Sequence, residues 1–220
     1  DTFNIGSDVL TAADSFDGAT GTDIVNVTGN TAVGNGVFDT ATFNAVERIN
    51  FANTTTNITW TVADANGEID NAITVDASSL TSGVLTFDGA LETTTANVLT
   101  VIGGAAGDAI TGGSGADVLL GNAGDDTFTG GVGADTITTG AGVDTIITTI
   151  GAALGTTVDA ITDFTADTGG DLIKLDISDL ESITAVTDLT SGTNVSAGAG
   201  AITILEAALL ADGTAMGTAT

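Results

Sequence analysis

Short runs of alternating or β-branched apolar residues recur along the first hundred positions, and turn-forming residues (Gly, Asn, Asp, Ser or Thr) flank each run. Such runs predict β-strands, because the side chains of a strand point alternately to its two faces. No long window has apolar residues at helical spacing, so we expect many short strands and at most one helical stretch, Ile204 to Ala211. The clearest predicted strands are residues 23–27, 46–51, 58–62, 72–76 and 97–101.

Residues 103–147 repeat with a period of nine. The five nonapeptides read GGAAGDAIT, GGSGADVLL, GNAGDDTFT, GGVGADTIT and TGAGVDTII. The sixth position is always aspartate: Asp108, Asp117, Asp126, Asp135 and Asp144. The eighth position is always apolar: Ile110, Leu119, Phe128, Ile137 and Ile146.

Each nonapeptide predicts a six-residue turn followed by a three-residue strand whose middle side chain points inward. Glycine allows positive φ in the turns and lets adjacent turns approach closely. Two nonapeptides then form one coil of about 18 residues, and stacked coils lie about 4.8 Å apart. The aspartates are therefore predicted to form two columns, one with Asp108, Asp126 and Asp144 and the other with Asp117 and Asp135.

The chain has 29 acidic and two basic side chains, which gives a formal charge of −27. Neighbouring carboxylates in such a column would repel each other by roughly 3–4 kcal/mol at an effective dielectric constant near 20. Residues 103–173 contain no Lys or Arg, so the neutralising ion has to come from solution. Carboxylates and turn carbonyls are hard oxygen ligands that suit Ca²⁺ better than Mg²⁺. The repeats therefore predict calcium as the cofactor.

The composition excludes several kinds of chemistry. The chain has no His or Cys, so it cannot build a Ser-His-Asp or Cys-His nucleophile or a zinc site with imidazole or thiolate ligands. Two cations cannot neutralise a phosphate backbone, so we expect neither nucleic acid nor an anionic membrane surface as a partner. Asp outnumbers Glu 24 to 5, which favours turns and calcium ligation, although an adaptation to a salty habitat is an alternative explanation.

The nonapeptide resembles the RTX repeat, GGxGxDxUx, in which U is a large apolar residue. The three central repeats, 112–138, match it throughout, with Asn122 in place of the second Gly. The outer two repeats depart from it once each, at Ala106 and at Thr139, which both replace a Gly. The resemblance implies a calcium β-roll.

In such a roll, one turn and the turn two repeats later clasp one calcium ion between them. The resemblance implies three sites, each between a pair of aspartate turns: Asp108 with Asp126, Asp117 with Asp135, and Asp126 with Asp144. The aspartates supply side chains, and the residues at the first, third and fifth positions of each turn supply backbone carbonyls: Gly103, Ala105, Gly107, Gly112, Ser114, Ala116, Gly121, Ala123, Asp125, Gly130, Val132 and Ala134. The side chain of Asp125 itself is interpreted as an ordinary turn former.

Residues 158–176 resemble the D-x-I-x-D-F…G-D-x-I-x-L segment that commonly follows RTX repeats and closes the roll. The resemblance implies that its apolar side chains cover the open end of the stack: Phe164, Ile173 and Leu175. Its acids could bind a further calcium ion or could be turn and capping residues: Asp159, Asp163 and Asp171.

Residues 1–102 contain strand-like units at irregular intervals without a fixed motif, which suits a β-helix whose coils differ in loop length. The order of 46–51, 75–80 and 99–101 before the nonapeptides is similar to RTX-type bacterial surface-layer proteins of the Caulobacter kind. We therefore expect an elongated all-β, right-handed parallel solenoid. It is divided into irregular β-helix coils (1–102), a calcium β-roll (103–147) and a closing segment with a C-terminal coil (148–220).

Three single residues have specific predictions. Arg48 and Lys174 are the only cations, and each is expected to neutralise nearby carboxylates or to cover a coil end. Trp60 is expected in the core, with an exposed, sugar-binding position as the alternative.

Three functions are compatible with the sequence: a structural segment of a surface lattice, the calcium-dependent region of an adhesin, or the C-terminal RTX domain of a secreted hydrolase. The chain itself contains no catalytic constellation, so we predict that it is not an enzyme. The expected partners are further copies of the chain in a lattice or filament, the type I secretion machinery and, for an adhesin, cell-surface polysaccharide. The predicted location is the extracellular cell surface.

The last twenty residues, 201–220, could belong to an uncleaved C-terminal export signal, which RTX substrates usually carry, or to another coil of a longer protein. The chain begins with Asp1 rather than an initiator Met, so a processed or excised fragment is expected.

Overall fold

Two large parallel β-sheets form the framework of the described chain in this computed structural model. The structure describes residues 1–6, 16–28, 36–39, 43–52, 55, 57–63, 72–149, 159–165 and 170–176. The first sheet contains β1 (Thr2–Ile5), β3 (Ile24–Val27), β6 (Arg48–Phe51), β8 (Ala72–Asp76), β10 (Val98–Ile102), β12 (Val118–Leu120), β14 (Thr136–Thr138) and β16 (Ala160–Ile161). The second sheet contains β4 (Gly36–Asp39), β7 (Ile58–Ala63), β9 (Leu85–Leu91), β11 (Ala109–Thr111), β13 (Thr127–Thr129), β15 (Thr145–Thr149) and β17 (Leu172–Asp176). A third, two-stranded sheet pairs β2 (Phe16–Asp17) with β5 (Phe43–Asn44).

From β6 to β15 the chain visits the two large sheets alternately, so each pair of strands forms one coil of a solenoid. All of the described strand pairs are parallel, and the order within each large sheet follows the order along the chain. The described residues all lie within one compact unit, Asp1–Ala185, and contain no helix. The predicted all-β parallel solenoid is therefore confirmed. The structure describes no helix with the length and hydropathy needed to cross a membrane.

The coils are of two kinds, as the repeat pattern predicts. In the nonapeptide region Val118 pairs with Thr136, eighteen residues later, and Thr127 pairs with Thr145 at the same interval. The coils before it are longer and unequal, because their connecting turns vary in length. Register is nevertheless kept from β10 to β12 and from β9 to β11, so both sheets continue from the irregular coils into the repeats.

The core is a thin stack of apolar side chains between the two large sheets. In the first sheet Val25, Ile49, Val75, Val101, Leu119 and Ile137 follow one another in register. In the second sheet Trp60, Phe87, Ile110, Phe128 and Ile146 do the same. All of these side chains are buried, which confirms that the eighth residue of each nonapeptide points inward.

Trp60 belongs to this core, with 1% of its surface exposed and its ring perpendicular to that of Phe51 at a centroid distance of 5.6 Å. A buried ring has no face to offer to a carbohydrate. The sugar-binding alternative for Trp60 is therefore wrong, and the core prediction is confirmed.

An asparagine ladder runs along the outer face of the first sheet. The side-chain amide of Asn26 donates to Asn4, and that of Asn50 donates to Asn26. Arg48 ends the ladder: its Nε donates to Asn50 Oδ1 at 2.6 Å, and its guanidinium forms an ion pair with Asp76. The prediction that Arg48 neutralises a carboxylate is confirmed. Lys174 lies exposed on β17.

The closing segment extends both sheets beyond the repeats. The strand β16 pairs with β14, and β17 pairs with β15, so that Ile173 lies in register with Ile146. Phe164 packs against the core as predicted, whereas the side chain of Leu175 is not among those described. The helical stretch and the export signal expected after residue 200 lie outside the described residues, and the three-part division of the chain stays a prediction.

Candidate metal centre

Five buried aspartates lie where each Gly-rich turn of the repeats meets its strand. They are at most 3% exposed: Asp108, Asp117, Asp126, Asp135 and Asp144. The side chain at the sixth position is buried because it folds back under its own turn, whereas the following strand places the eighth residue in the core. Aspartate is short enough to do this, and its carboxylate reaches backbone amides of neighbouring turns.

The aspartates form the two columns predicted from the sequence. The backbone N–H of Asp108 donates to Asp126 Oδ1 at 2.6 Å, and that of Asp126 donates to Asp144 Oδ1 at 2.8 Å. In the other column the N–H of Asp117 donates to Asp135 Oδ1 at 2.8 Å. Each aspartate therefore binds the backbone of the preceding coil, and stacking of the coils fixes the position of every carboxylate.

The turns leave no space for a side chain at the glycine that lies beside each of these carboxylates in the first four repeats. A Cβ atom added to Gly121 would lie 2.2 Å from Asp126 Oδ2 and 2.4 Å from the carbonyl oxygen of Thr139 in the next coil. Glycine at position 121 therefore allows this close approach, which brings a carboxylate and a carbonyl of adjacent coils to the same place.

The repeats fall into two groups according to whether Oδ2 of the aspartate accepts a hydrogen bond. In the first two repeats the turn itself satisfies it, because the N–H of Gly104 donates to Asp108 Oδ2 and the N–H of Gly113 donates to Asp117 Oδ2. In the last three repeats this oxygen is buried without a hydrogen-bond partner: Asp126 Oδ2, Asp135 Oδ2 and Asp144 Oδ2.

The backbone conformation explains this difference. Three second-position residues of the later repeats have positive φ: Asn122, Gly131 and Gly140. The residues at the same position in the first two repeats, Gly104 and Gly113, do not. We interpret the left-handed conformation as the change that turns the second N–H away from the carboxylate of its own repeat.

Burial makes the charged form of these aspartates costly. It raises the pKa of Asp126 to about 7 and that of Asp135 to about 6, and like charges of neighbouring aspartates add to both shifts. Burial raises the pKa of the other three as well: Asp108, Asp117 and Asp144. A bound cation would remove this penalty, because it supplies the missing positive charge and a partner for the unpaired oxygen.

The donor set fits a calcium ion that is held mainly by backbone carbonyls. No three acidic side chains in the described part of the chain converge closely enough to bind a metal on their own. The carbonyls at the second position of three turns, those of Gly104, Gly113 and Asn122, accept backbone N–H groups of the next coil. Among the carbonyls predicted as ligands, at the first, third and fifth turn positions, that of Gly103 accepts a hydrogen bond from Asn122 Nδ2. Calcium accepts six to eight oxygen ligands of mixed type, which such turns can offer.

The carbonyl ligands predicted from the sequence all lie in the turns that precede the aspartates, at 103–107, 112–116, 121–125 and 130–134. The side chain of Asp125 is exposed and its Oδ1 accepts the N–H of Val143 at 2.9 Å, as expected of a turn former. Ligation of calcium by the individual residues stays a prediction.

Asp171 and Asp159 extend the two columns into the closing segment. Asp171 Oδ1 accepts the N–H of Asp144 at 3.0 Å, and Asp159 Oδ1 accepts the N–H of Asp135 at 3.1 Å. Their intervals from the preceding aspartates exceed eighteen residues, so the nine-residue period did not reveal that they continue the columns.

Asp163 lies beside the last turn, where it accepts the N–H of Thr139 at 2.8 Å with Oδ1 and that of Gly140 at 2.9 Å with Oδ2. Asp171 Oδ2 accepts the N–H of Thr165 at 2.8 Å. These hydrogen bonds cap the last coil. Calcium ligation by Asp163 or Asp171 stays a prediction. Thr139 departs from the glycine pattern because its hydroxyl also donates to Asp163, at 3.1 Å.

A family model describes the segment that contains these turns. The model for the RTX calcium-binding nonapeptide repeat, built of four copies, matches residues 102–137 and 120–152. The repeat segment is of the RTX type. RTX nonapeptide repeats bind Ca²⁺, and they are structural rather than catalytic elements of proteins that are typically secreted. No curated protein and no solved structure gives a significant match to the chain.

Proposed function

We propose that the chain is a calcium-dependent structural segment of a bacterial surface layer that passes through a type I secretion system and assembles outside the cell. The observation that carries this proposal is the continuity of the two large sheets across residues 102 and 103. An RTX roll that only accompanies an enzyme would adjoin a separate catalytic domain. Here the roll extends a longer solenoid, which suits a building element.

Calcium controls folding in this proposal. In a cytosol with little free calcium, the unpaired buried carboxylates of the last three repeats oppose folding, because each would be either an uncompensated charge or an unpaired polar group. Such a chain stays extended enough to be exported. Outside the cell, millimolar Ca²⁺ neutralises the columns and the solenoid closes.

The free energies are sufficient for this switch. A site with a dissociation constant near 0.1 mM adds about 1.4 kcal/mol at millimolar Ca²⁺, and one near 0.01 mM adds about 2.7 kcal/mol. Three sites together contribute roughly 4–8 kcal/mol, which is comparable with the stability of a whole domain.

Lattice formation is tested by calcium titration of the purified chain, followed by light scattering and negative-stain electron microscopy. We expect ordered arrays or filaments at millimolar Ca²⁺ and dispersed chains in chelator. The double variant Asp126→Asn/Asp135→Asn should fail to assemble at the same calcium concentration. The variant Asp125→Asn removes a neighbouring exposed charge and should assemble like the parent.

A chain that folds with calcium but remains monomeric and binds a cell-surface glycan would contradict the lattice function and favour the adhesin. A lattice that forms equally well in chelator would contradict calcium control.

A further inference from the structure

A turn far outside the RTX segment has the residue order of a nonapeptide. Residues 18–26 read GATGTDIVN, with Gly18, Gly21 and Asp23 at the first, fourth and sixth positions and Val25 at the eighth. Val25 is fully buried in the core stack, like the eighth residue of every repeat. This turn lies outside the residues that the family model matches.

The backbone of this turn has the conformation of the later repeats. Ala19 and Gly21, at the second and fourth positions, have φ of 62° and 127°. Asn122 and Gly124 have 72° and 118° at the same positions. Positive φ is unfavourable for a residue with a Cβ, so the surrounding structure has to hold Ala19 in this conformation.

The hydrogen bonds between coils also match. The N–H of Asp23 donates to Glu47 Oε2 at 2.6 Å, as the N–H of Asp108 donates to Asp126 in the repeats. The nitrogen of Asp1 donates in turn to Asp23 Oδ1. Strand register places these acids in one column, because β3 pairs with β1 on one side and with β6 on the other.

Asp23 has an oxygen available for a ligand. Its side chain is 0% exposed, and Oδ2 has no hydrogen-bond partner. Among the described repeats, this state occurs only in the last three aspartates, at 126, 135 and 144. The ammonium group of Asp1 pairs with the other oxygen, Oδ1, and does not satisfy Oδ2.

Other oxygens crowd the same place. A Cβ atom on Gly18 would lie 2.0 Å from the carbonyl oxygen of Ala45 and 2.6 Å from the carboxyl carbon of Asp23. The half-buried carboxylate of Glu47 already contacts the backbone of Asp23. A carboxylate oxygen, a carbonyl of the next coil and a second carboxylate therefore lie together, and these are ligands that Ca²⁺ prefers.

The turn is separate from the calcium sites of the RTX segment, although it lies along the same edge of the first sheet. Between Glu47 and Asp117 the column continues through Ile73 and Leu99, which carry no charge. Two apolar positions thus separate the two acidic groups. An ion at Asp23 would share no ligand with the repeats.

We propose that the turn 18–23, with Ala45 and Glu47 of the following coil, is a calcium site. It would fix the N-terminal coils as the repeats fix the other end of the solenoid. This site does not depend on lattice formation, and it can be measured on the dispersed chain.

The test is calorimetric titration of the full chain with Ca²⁺, with the number of bound ions checked by native mass spectrometry. The variant Asp23→Asn keeps the shape of the side chain and should bind one ion fewer than the parent. The matched control is Asp88→Asn, a half-buried carboxylate on β9 outside this turn, which should keep the parent number. Equal stoichiometry in Asp23→Asn and the parent, or equal loss in both variants, would overturn the proposal.

The variant Glu47→Gln provides a second measurement that does not rely on the folding of Asp23→Asn. It should weaken one site at least threefold and leave the sites of the repeats unchanged. An unchanged affinity for every ion in Glu47→Gln would also overturn the proposal. Circular dichroism at millimolar Ca²⁺ establishes that each variant is folded.

Discussion

At the scale of single residues, the carboxylate of Asp126 has two different environments. Its Oδ1 accepts a backbone N–H of the preceding coil, and its Oδ2 is buried without a partner. Asp125, its neighbour in the chain, is exposed, and its Oδ1 accepts the N–H of Val143 in the turn of the next coil. Two adjacent aspartates therefore differ in environment because the turn buries one of them and exposes the other.

We expect Asp126→Ala to lower the calcium stoichiometry and Asp125→Ala to leave it unchanged. The first variant removes the unpaired oxygen that a cation would bind, whereas the second removes an exposed hydrogen bond. Titration calorimetry on both variants measures the number of ions. Equal loss in the two would contradict the column arrangement.

The raised pKa of Asp126 predicts how the calcium-free chain responds to pH. A group whose pKa is higher in the folded state than its ordinary value favours folding in its protonated form. That stabilisation is complete below pH 3.8 and is lost as the pH rises through about 7. In metal-free buffer we therefore expect the melting temperature of the repeats to fall as the pH rises from 5 towards 7, until the folded signal is lost near neutral pH.

Saturating calcium should reverse this trend, because ligation requires the ionised carboxylate. Thermal melts in buffer freed of metal by chelating resin measure both series. The variant Asp126→Asn should reduce the slope of the metal-free series. A metal-free chain that gains stability as the pH rises would contradict the prediction.

At the scale of elements, each three-residue strand of the roll contributes one inward side chain and is held by its neighbours. Phe128 in β13 lies between Ile110 and Ile146 in the core stack. A strand of this length is not stable alone, so its position depends on the coils on either side.

We expect Phe128→Ala to lower the free energy of unfolding by about 3–5 kcal/mol, because it leaves a cavity in a thin core that cannot repack easily. Val132, in a turn of the same roll, is 66% exposed. Val132→Ala should change the stability by no more than about 0.5 kcal/mol. Urea titration at saturating calcium measures both, and similar losses in the two variants would contradict the inward placement of Phe128.

Five strands of the irregular half were predictable from alternation, whereas others, such as β4 and β9, were not among the predicted runs. Ile58–Ala63 and Ala72–Asp76 coincide with predicted runs, because an apolar face and flanking turn formers suffice to define a strand. Their partners were not predictable. Arg48 pairs with Thr74 across a longer coil than the eighteen-residue coils of the repeats, and no local period specifies that pairing.

At the scale of the whole molecule, the described part is a solenoid with buried aspartates in the turn at 18–23 and in the turns of the repeats. Coils near residues 73–102 satisfy their turns with protein groups: the carbonyl of Leu80 accepts the N–H of Ala105, and Glu92 binds Asn97. We therefore expect bound calcium to stabilise the coils of residues 103–147 more than those near residues 73–102.

We expect chelation at neutral pH to abolish the β-sheet signal of residues 103–176 in circular dichroism. Hydrogen exchange followed by mass spectrometry locates the change, and protection should be lost first in this region. Restoring Ca²⁺ should recover it, and the same concentration of Mg²⁺ should not, because the loose ligand geometry suits the larger ion. Unchanged spectra in chelator would refute the switch.

The period of nine, the two columns and the ion follow from the amino-acid sequence, because the repeat places an aspartate and an apolar side chain at the same point of every coil. The carboxylate oxygens that lack a partner can be identified only in the folded chain. Asp108 and Asp126 share one motif, yet the φ of the second turn residue leaves only Asp126 with an unpaired oxygen. The contact between Asp23 and Glu47 likewise appears only in the folded chain, because coils of unequal length bring them into register across 24 residues.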